Sequence, residues 1–349
     1  MSQQPVRVGI VGAGANTRLR HIPGLRAVPQ VEIVGVVNST PASTERVSRE
    51  FGIRKTYTDW RALVDDPEID AVVVGTWPNL HSDVTCAALT AGKHVLTEAR
   101  MARNLVEARR MVSVARAHSH LVAQIVPSPF GLEEDAVMRK LITERYLGDL
   151  REAVVIGADD TFWDYSRPLH WRQDRELSGF NVLSMGILHE TLMRWTPPVT
   201  RVFAQAQTFE PRRPVPAQLR EGQVTVPDSV QIVTQLEGGA RGIYHISGVL
   251  LFGPGKQIHL YGTHGTIKLE IAPEARLWCG RAGDTELREL EIPNDMRGGW
   301  RVEEEFIGAI RGTEKVRFTD FETGLKYMEF TEAVHRSAES NQPVDLPIE

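Results

Sequence analysis

The sequence predicts two domains of the α/β class, the first a doubly wound parallel sheet and the second an α+β domain with a large, mostly antiparallel sheet. Three observations carry this. β-Branched runs alternate with helix-forming stretches through residues 1–125. A glycine-rich turn follows the first of these runs directly. From residue 126 to 349 the apolar pattern changes to the period-two alternation of half-buried strands.

At 349 residues the chain exceeds one ordinary core and suits two domains. Hydrophobic residues at 42% and charged residues at 24% are ordinary globular usage and exclude wholesale disorder. A formal net charge of −5 offers no broad attraction to nucleic acid or anionic lipid, so neither is an expected partner. Cys86 and Cys279 are the two cysteines, too few for a disulfide framework or a cysteine zinc site, and no metal is expected. Met1 to Arg7 run straight into a strand without a signal-peptide core. No apolar run approaches the roughly 20 residues that span a bilayer. A reducing, cytoplasmic location is the expectation.

The first strand, Val6-Arg7-Val8-Gly9-Ile10-Val11, leads into Gly12-Ala13-Gly14-Ala15-Asn16-Thr17. Strand, glycine turn and helix in that order are the context of a dinucleotide fingerprint. Gly12 permits the tight turn, Gly14 lets a pyrophosphate approach the backbone, and the helix N-terminus at Ala15 and Asn16 faces the anion. Thr17 holds the third glycine position, so the motif is degenerate, and a turn that merely needs two glycines is the plainer reading.

The second strand, Val31 to Val37, ends at Asn38-Ser39-Thr40-Pro41. NAD-specific sites place an Asp or Glu at this strand end to hold the ribose hydroxyls. A neutral Asn38 removes repulsion against a 2′-phosphate, and Ser39, Thr40 and Arg46 are candidate donors to it. The cofactor expected is therefore NADP(H), with NAD(H) the alternative. Ser39 and Thr40 read equally well as helix caps.

A strand over Ile69 to Val74 ends in Thr76-Trp77-Pro78-Asn79-Leu80-His81, a helix covers Ser82 to Ala91 with Gly92 as its cap, and His94-Val95-Leu96 ends in Thr97-Glu98-Ala99-Arg100. This spacing reads as a Rossmann sheet, whose ligands lie at the carboxyl ends of the strands. Thr76, Trp77, Pro78, Asn79, His81 and Glu98 are therefore cofactor candidates.

At this point the chain resembles the Gfo/Idh/MocA oxidoreductases along nearly its whole length. The resemblance rests on the glycine turn, Thr76 to His81, Ala91-Gly92-Lys93-His94-Val95-Leu96 before a Glu, Phe306-Ile307-Gly308-Ala309-Ile310 before Gly312, a long helix reaching Ser337-Ala338, and Pro343-Val344-Asp345-Leu346-Pro347. It implies hydride transfer between a nicotinamide and a carbinol of a sugar, cyclitol or related polyol. It also implies self-association, to a dimer or tetramer, through one face of the second-domain sheet.

Two departures from the family pattern matter. The family's Glu-Lys-Pro reads Glu98-Ala99-Arg100 here, and alanine carries no transferable proton. Arg100 stays protonated and suits substrate orientation or carbonyl polarisation better than proton transfer. The family's second motif, Asp-x-Gly-x-His, aligned on Gly186, places Ser184 at the Asp and Leu188 at the His. His189 lies one residue on, about 100° around the helix.

Within the second domain, Ser229 to Leu236 and Gln257 to Gly262 alternate as strands, while the proline-rich Pro211 to Pro227 reads as a loop. Trp300 to Arg311 reads as an amphipathic helix returning to the first domain, with Glu303-Glu304-Glu305 a solvated face. The substrate-facing segment expected is Trp163 to Arg172, because rings cover the C–H faces of sugars and polar groups read hydroxyls. Trp163, Tyr165, Trp171, Arg172 and, near the helix, Asn181 are the substrate candidates. Glu98, Arg100, His170 and His189 are the catalytic candidates, the histidines as replacements for the missing acid–base groups. The plainer readings are a rim loop and structural histidines.

The sequence thus points to an oxidoreductase with a non-standard proton relay. A catalytically silent nucleotide- and sugar-binding regulator is the alternative, as is an enzyme whose bound nicotinamide serves elimination or epimerisation without net redox.

Overall fold

The computed structural model describes residues 5–271 and 274–349, so Met1 to Gln4 of the N-terminal reading lie outside the described residues. The chain forms two compact units. The first runs to Pro127 and adds Arg301–Leu325; the second comprises Ser128–Trp300 and Lys326–Glu349. A single cut between residues 125 and 126 omits that return.

The first unit holds six strands, β1 (Val6–Val11), β2 (Val31–Val37), β3 (Lys55–Thr56), β4 (Ala71–Val74), β5 (His94–Thr97) and β6 (Ala123–Ile125). They pair in the order β3-β2-β1-β4-β5-β6, all parallel. This is the dinucleotide-binding order, with its switch point between β1 and β4. β4 is buried throughout, as a Val-rich central parallel strand must be. The helices are α1 (Ile22–Ala27), α2 (Pro41–Phe51), α3 (Trp60–Val64), α4 (Pro78–Thr90) and α5 (Leu105–Ala117). Local chemistry sets their ends. Thr40 caps α2 by accepting from Ser43 N–H at 3.2 Å, Pro41 follows, and Gly52 closes the helix at φ +58°.

The second unit contains α6 (Asp135–Thr143), β7 (Leu150–Ala158), α7 (Arg175–Ser178), α8 (Met185–Met193), β8 (Val199–Gln207), β9 (Arg212–Val215), β10 (Arg220–Gln223), β11 (Ser229–Leu236), β12 (Arg241–Ser247), β13 (Gly255–Gly262), β14 (Gly265–Glu270), β15 (Arg276–Arg281) and β16 (Arg288–Glu289). After α9 (Val302–Ile310) and α10 (Phe321–Ser340), β17 (Val344–Asp345) completes a nine-stranded sheet, β16-β15-β14-β13-β7-β12-β11-β8-β17. Only β7 and β12 pair in parallel, so the sheet is mixed and mostly antiparallel. Pro211 to Pro227 is not simply a loop, because β9 and β10 form an antiparallel ladder within it.

β11 alternates buried and exposed residues along its length. Its inner face joins Tyr244 and Ile246 of β12 under α8 and α10, where the His189 ring stacks on Phe330 at 3.6 Å. On the outer face one register row runs Phe203, Val233, Ile243 and Val154 across β8, β11, β12 and β7. Phe203, Val233 and Ile243 are 43%, 51% and 49% exposed. None of the described helices is long and apolar enough to cross a membrane.

Candidate active site

The glycine turn is built by space. Gly12 stands at φ +86°, and a Cβ there would meet the Thr76 backbone nitrogen at 2.8 Å. Its N–H donates to Val37 O at 2.8 Å, which closes the turn against β2. Gly14 and Ala15 are exposed, and Arg18 N–H makes the first helical bond, to Gly14 O at 3.0 Å. The N–H groups of Ala15, Asn16 and Thr17 therefore precede any intrahelical acceptor, the arrangement that cradles a pyrophosphate. Thr17 replaces the third glycine without strain elsewhere, because the residue facing it at the end of β4 is Gly75, where a Cβ would meet Thr17 Oγ1 at 2.1 Å. These residues fit a dinucleotide.

At the end of β2, Asn38 Oδ1 accepts Ala13 N–H at 2.7 Å and Nδ2 donates to Ser43 O at 3.4 Å. Asn38 thus ties the glycine turn to the start of α2, and Thr40 is spent as a cap. Ser39 and Arg46 are exposed.

At the end of β4, Thr76 and Asn79 are half-buried, Trp77 is exposed and Pro78 is buried in the first turn of α4. The helix starts four residues before the expected Ser82. His81 is wholly buried, with Nδ1 2.9 Å from Arg100 O and Nε2 3.0 Å from Thr76 O. Burial holds its pKa below the usual imidazole value. The ring lies between the carbonyls of two turns, and a neutral imidazole donates to one of them, so His81 staples the backbone of this strand end.

Glu98 anchors a buried polar cluster of this unit. Its Oε1 accepts Asn16 Nδ2 at 2.5 Å and lies 2.9 Å from His21 Nε2; Glu303 Oε1 lies 2.5 Å from His21 Nδ1. The His21 side chain is fully buried, that of Glu303 is 4% exposed and that of Glu98 15%. Burial alone would push the imidazole towards neutrality, but bonds to Glu303 and Glu98 outweigh it and raise its pKa to about 9. Burial likewise opposes Glu98 ionisation, and His21 overcomes it, so the Glu98 pKa falls below the usual carboxylate value.

His21 and Glu303, which no sequence motif marks, complete this cluster. The Glu303-Glu304-Glu305 run is not a solvated face: Glu303 and Glu305 are buried, and Glu305 Oε1 accepts from Gln124 Nε2 and Phe318 N–H, each at 3.0 Å. A π-helical turn over Thr17–His21 carries the His21 ring into the interior. Arg100 is buried, and Ala99 half-buried.

In the second unit, Trp163 and Tyr165 are 50% and 62% exposed on the segment that leads to His170. His170 Nδ1 accepts Arg172 N–H at 3.2 Å as the cap of a short 3₁₀ turn, and burial followed by the Arg172 charge lowers its pKa. The Arg172 guanidinium lies over the Trp171 ring at 4.1 Å. Asn181 is fully buried, and its Nδ2 donates to Ser178 O at 2.6 Å, a local turn bond. His189 is a core residue: it is buried against Phe330, 2.8 Å from the Tyr244 hydroxyl, with burial lowering its pKa to about 3. Its expected catalytic role does not survive that placement. Ser184 and Leu188 pack over Gly157, where a Cβ would meet them at 2.7 and 2.6 Å.

A family model described as oxidoreductase family, NAD-binding Rossmann fold, matches residues 6–125, and one described as GFO/IDH/MocA C-terminal domain matches residues 136–268. The chain belongs to the Gfo/Idh/MocA oxidoreductases. Levoglucosan dehydrogenase of Pseudarthrobacter phenanthrenivorans is 24% identical over 262 residues, 68% of this chain and 66% of the relative. 1,5-Anhydro-D-fructose reductase of Ensifer adhaerens is 40% identical over 110 residues, 32% of this chain and 33% of the relative. The matched regions thus span a third to just under two thirds of these two relatives. A solved levoglucosan dehydrogenase in complex with NADH and L-sorbose superposes with a TM-score of 0.88 at 22% identity, over 98% of this chain and 99% of that one, a likeness of fold.

The cluster predicts a two-sided pH dependence of stability. His21 has a folded pKa of about 9 against an ordinary value of 6.5, so its contribution is complete below 6.5 and is lost as pH rises through 9. Glu98, depressed below 4.5, contributes above that value and loses its contribution as pH falls below it. Thermal unfolding from pH 3 to 10 should show both limbs, and His21→Asn should flatten the alkaline one. An alkaline limb identical in the variant would remove His21 from the account.

Proposed function

We propose that this chain is an NAD(P)-dependent oxidoreductase acting on a carbinol or carbonyl of a sugar, cyclitol or related polyol. The observation that carries this is the glycine cradle, Gly12 to Thr17, tied through Asn16 to a Glu98 carboxylate at the end of β5. When bound, the nicotinamide supplies the hydride chemistry. The chain's residues bind and orient. Ala15 to Thr17 offer N–H donors to the pyrophosphate, Thr76 to Asn79 line the next strand end, and Trp163, Tyr165, Trp171 and Arg172 present rings and a cation suited to a polyol. Relatives named for levoglucosan and anhydrofructose support that substrate class.

Of the groups expected to move a proton, His189 is sealed in the core and His170 Nδ1 is committed as a cap. We assign the substrate proton to Glu98, which keeps partial exposure. A carboxylate held below its usual range is a weak base, so turnover is slow. The same commitments favour a second reading, a nucleotide- and sugar-binding protein without turnover.

The neutral Asn38, with Ser39 and Arg46 exposed beside it, supports a preference for NADP(H). The apolar row Phe203, Val233, Ile243 on the open sheet face supports self-association through that face.

Nicotinamide absorbance across a polyol panel, with NAD⁺ and NADP⁺ and with wild type beside Ala99→Lys, tests the redox reading. We expect slow wild-type turnover, and a rise of about 10²-fold or more in Ala99→Lys. Turnover confined to Ala99→Lys would favour the binding-protein reading, and silence from both proteins would overturn the redox one. In the same assay Asn38→Asp should shift the NADP⁺/NAD⁺ preference at least about tenfold towards NAD⁺, about 1.4 kcal/mol; an unmoved ratio would remove Asn38 as the discriminator. Light scattering should give a multiple of the chain mass for wild type and the single-chain mass for Ile243→Arg. A multiple retained in the variant would place the interface elsewhere.

A further inference from the structure

The largest fully buried side chain among the described residues sits in a segment with no assigned role. Arg213, on β9, is 2% exposed. Its Nη1 donates to Asp164 O at 2.6 Å and its Nη2 donates to Phe162 O. Those two carbonyls flank Trp163, so one planar guanidinium fixes the backbone on both sides of the indole. An ammonium lacks that two-pronged geometry. Burying an arginine is costly, and with Nε lacking a hydrogen-bond partner the two carbonyl bonds from Nη1 and Nη2 carry the compensation.

Other bonds from the same hairpin run along the same segment. Leu169 N–H donates to Pro214 O at 2.9 Å, and Thr225 N–H donates to Gln173 O at 2.9 Å. Arg175 N–H donates to Thr225 Oγ1 at 2.8 Å. Gly222 on β10 leaves room for Leu169, since a Cβ there would meet Leu169 Cδ2 at 3.0 Å. The proline-rich stretch is therefore a brace laid along residues 162–175. Trp163 and Tyr165 stand outward from that braced backbone, half and more than half exposed.

We propose that Arg213 is a positioning residue for substrate recognition: by clamping Phe162 O and Asp164 O it holds Trp163 and Tyr165 as a preformed stacking face for the C–H side of a polyol ring. Preforming the face lowers the ordering cost of binding, so Arg213 acts on affinity rather than on the chemical step. This rests on the polyol reading above, and its test separates the two.

Hydrogen–deuterium exchange of the full chain, followed on peptides covering 162–172, reads the clamp without any ligand. Arg213→Lys should raise exchange there about tenfold while peptides from β7 and β11 stay unchanged. Steady-state kinetics with levoglucosan as the probe should then show KM raised about tenfold with kcat within about twofold, and Trp163→Ala, a half-exposed site that leaves the fold intact, should reproduce the KM effect. Should Arg213→Lys fail to fold, Trp163→Ala and Tyr165→Ala carry the recognition arm: a raised KM supports the proposal and an unchanged one overturns it. Unchanged exchange in a folded Arg213→Lys overturns the clamp whatever the kinetics. Raised exchange with unchanged KM overturns the link to recognition. Failure of the wild type to bind or turn over levoglucosan or any member of the polyol panel overturns the polyol reading and the recognition role with it.

Discussion

A protonated imidazole buried between two carboxylates ties three distant stretches of the first unit together. His21 follows the glycine turn, Glu98 ends β5, and Glu303 belongs to α9, which lies 282 residues from His21 in sequence. Each charge alone would cost several kcal/mol to bury. Held together they offset one another, with Asn16 bonded to Glu98 at one end and Glu98 keeping partial exposure. That arrangement explains why Arg301–Leu325 belongs to the first unit although it follows the whole of the second sheet in sequence. Removing α9 takes the Glu303 carboxylate from His21, and removing His21 takes the shared imidazole from both carboxylates.

The strands were the most legible part of the sequence, and the reason is local. β1, β2 and β11 begin and end where the β-branched runs do, because burial on one or both faces selects those side chains residue by residue. The Thr40 cap was legible too, because it works through the Ser43 N–H three residues along its own backbone. Glu303-Glu304-Glu305 misled because the partners of a buried charge are set by topology. Glu303 finds His21 and Glu305 finds Gln124, and no window of sequence contains either pair. The proline-rich stretch misled for a related reason. Its prolines forbid a central strand but not a short two-stranded ladder, and its function lies in Arg213 contacts 49 and 51 residues upstream.

The placement of His189 has a physical explanation of its own. Ser184 and Leu188 close over Gly157 and make that end of α8 a packing surface, with Leu188 fully buried. The neighbouring histidine then turns inward, where Tyr244 and Phe330 occupy its polar edge and its face. A histidine in that setting stays neutral across the physiological range, since burial alone carries its pKa to about 3.

Ala99 has a different consequence, because the residue before it is still held ionised. A lysine at that position would place a second cation beside Glu98 and compete with His21 for it. Here Glu98 is held ionised chiefly by His21 and then by Asn16, with its Oε2 accepting Ala99 N–H at 3.3 Å. Such a carboxylate is well suited to orienting a hydroxyl through a charge-assisted hydrogen bond and poorly suited to taking its proton quickly. On the proposed reading, the physical chemistry of this unit therefore separates binding from proton transfer. The cradle, the carboxylate and the clasped imidazole are preorganised for the first, and the rate of the second depends on how far Glu98 can be drawn out of its pairing.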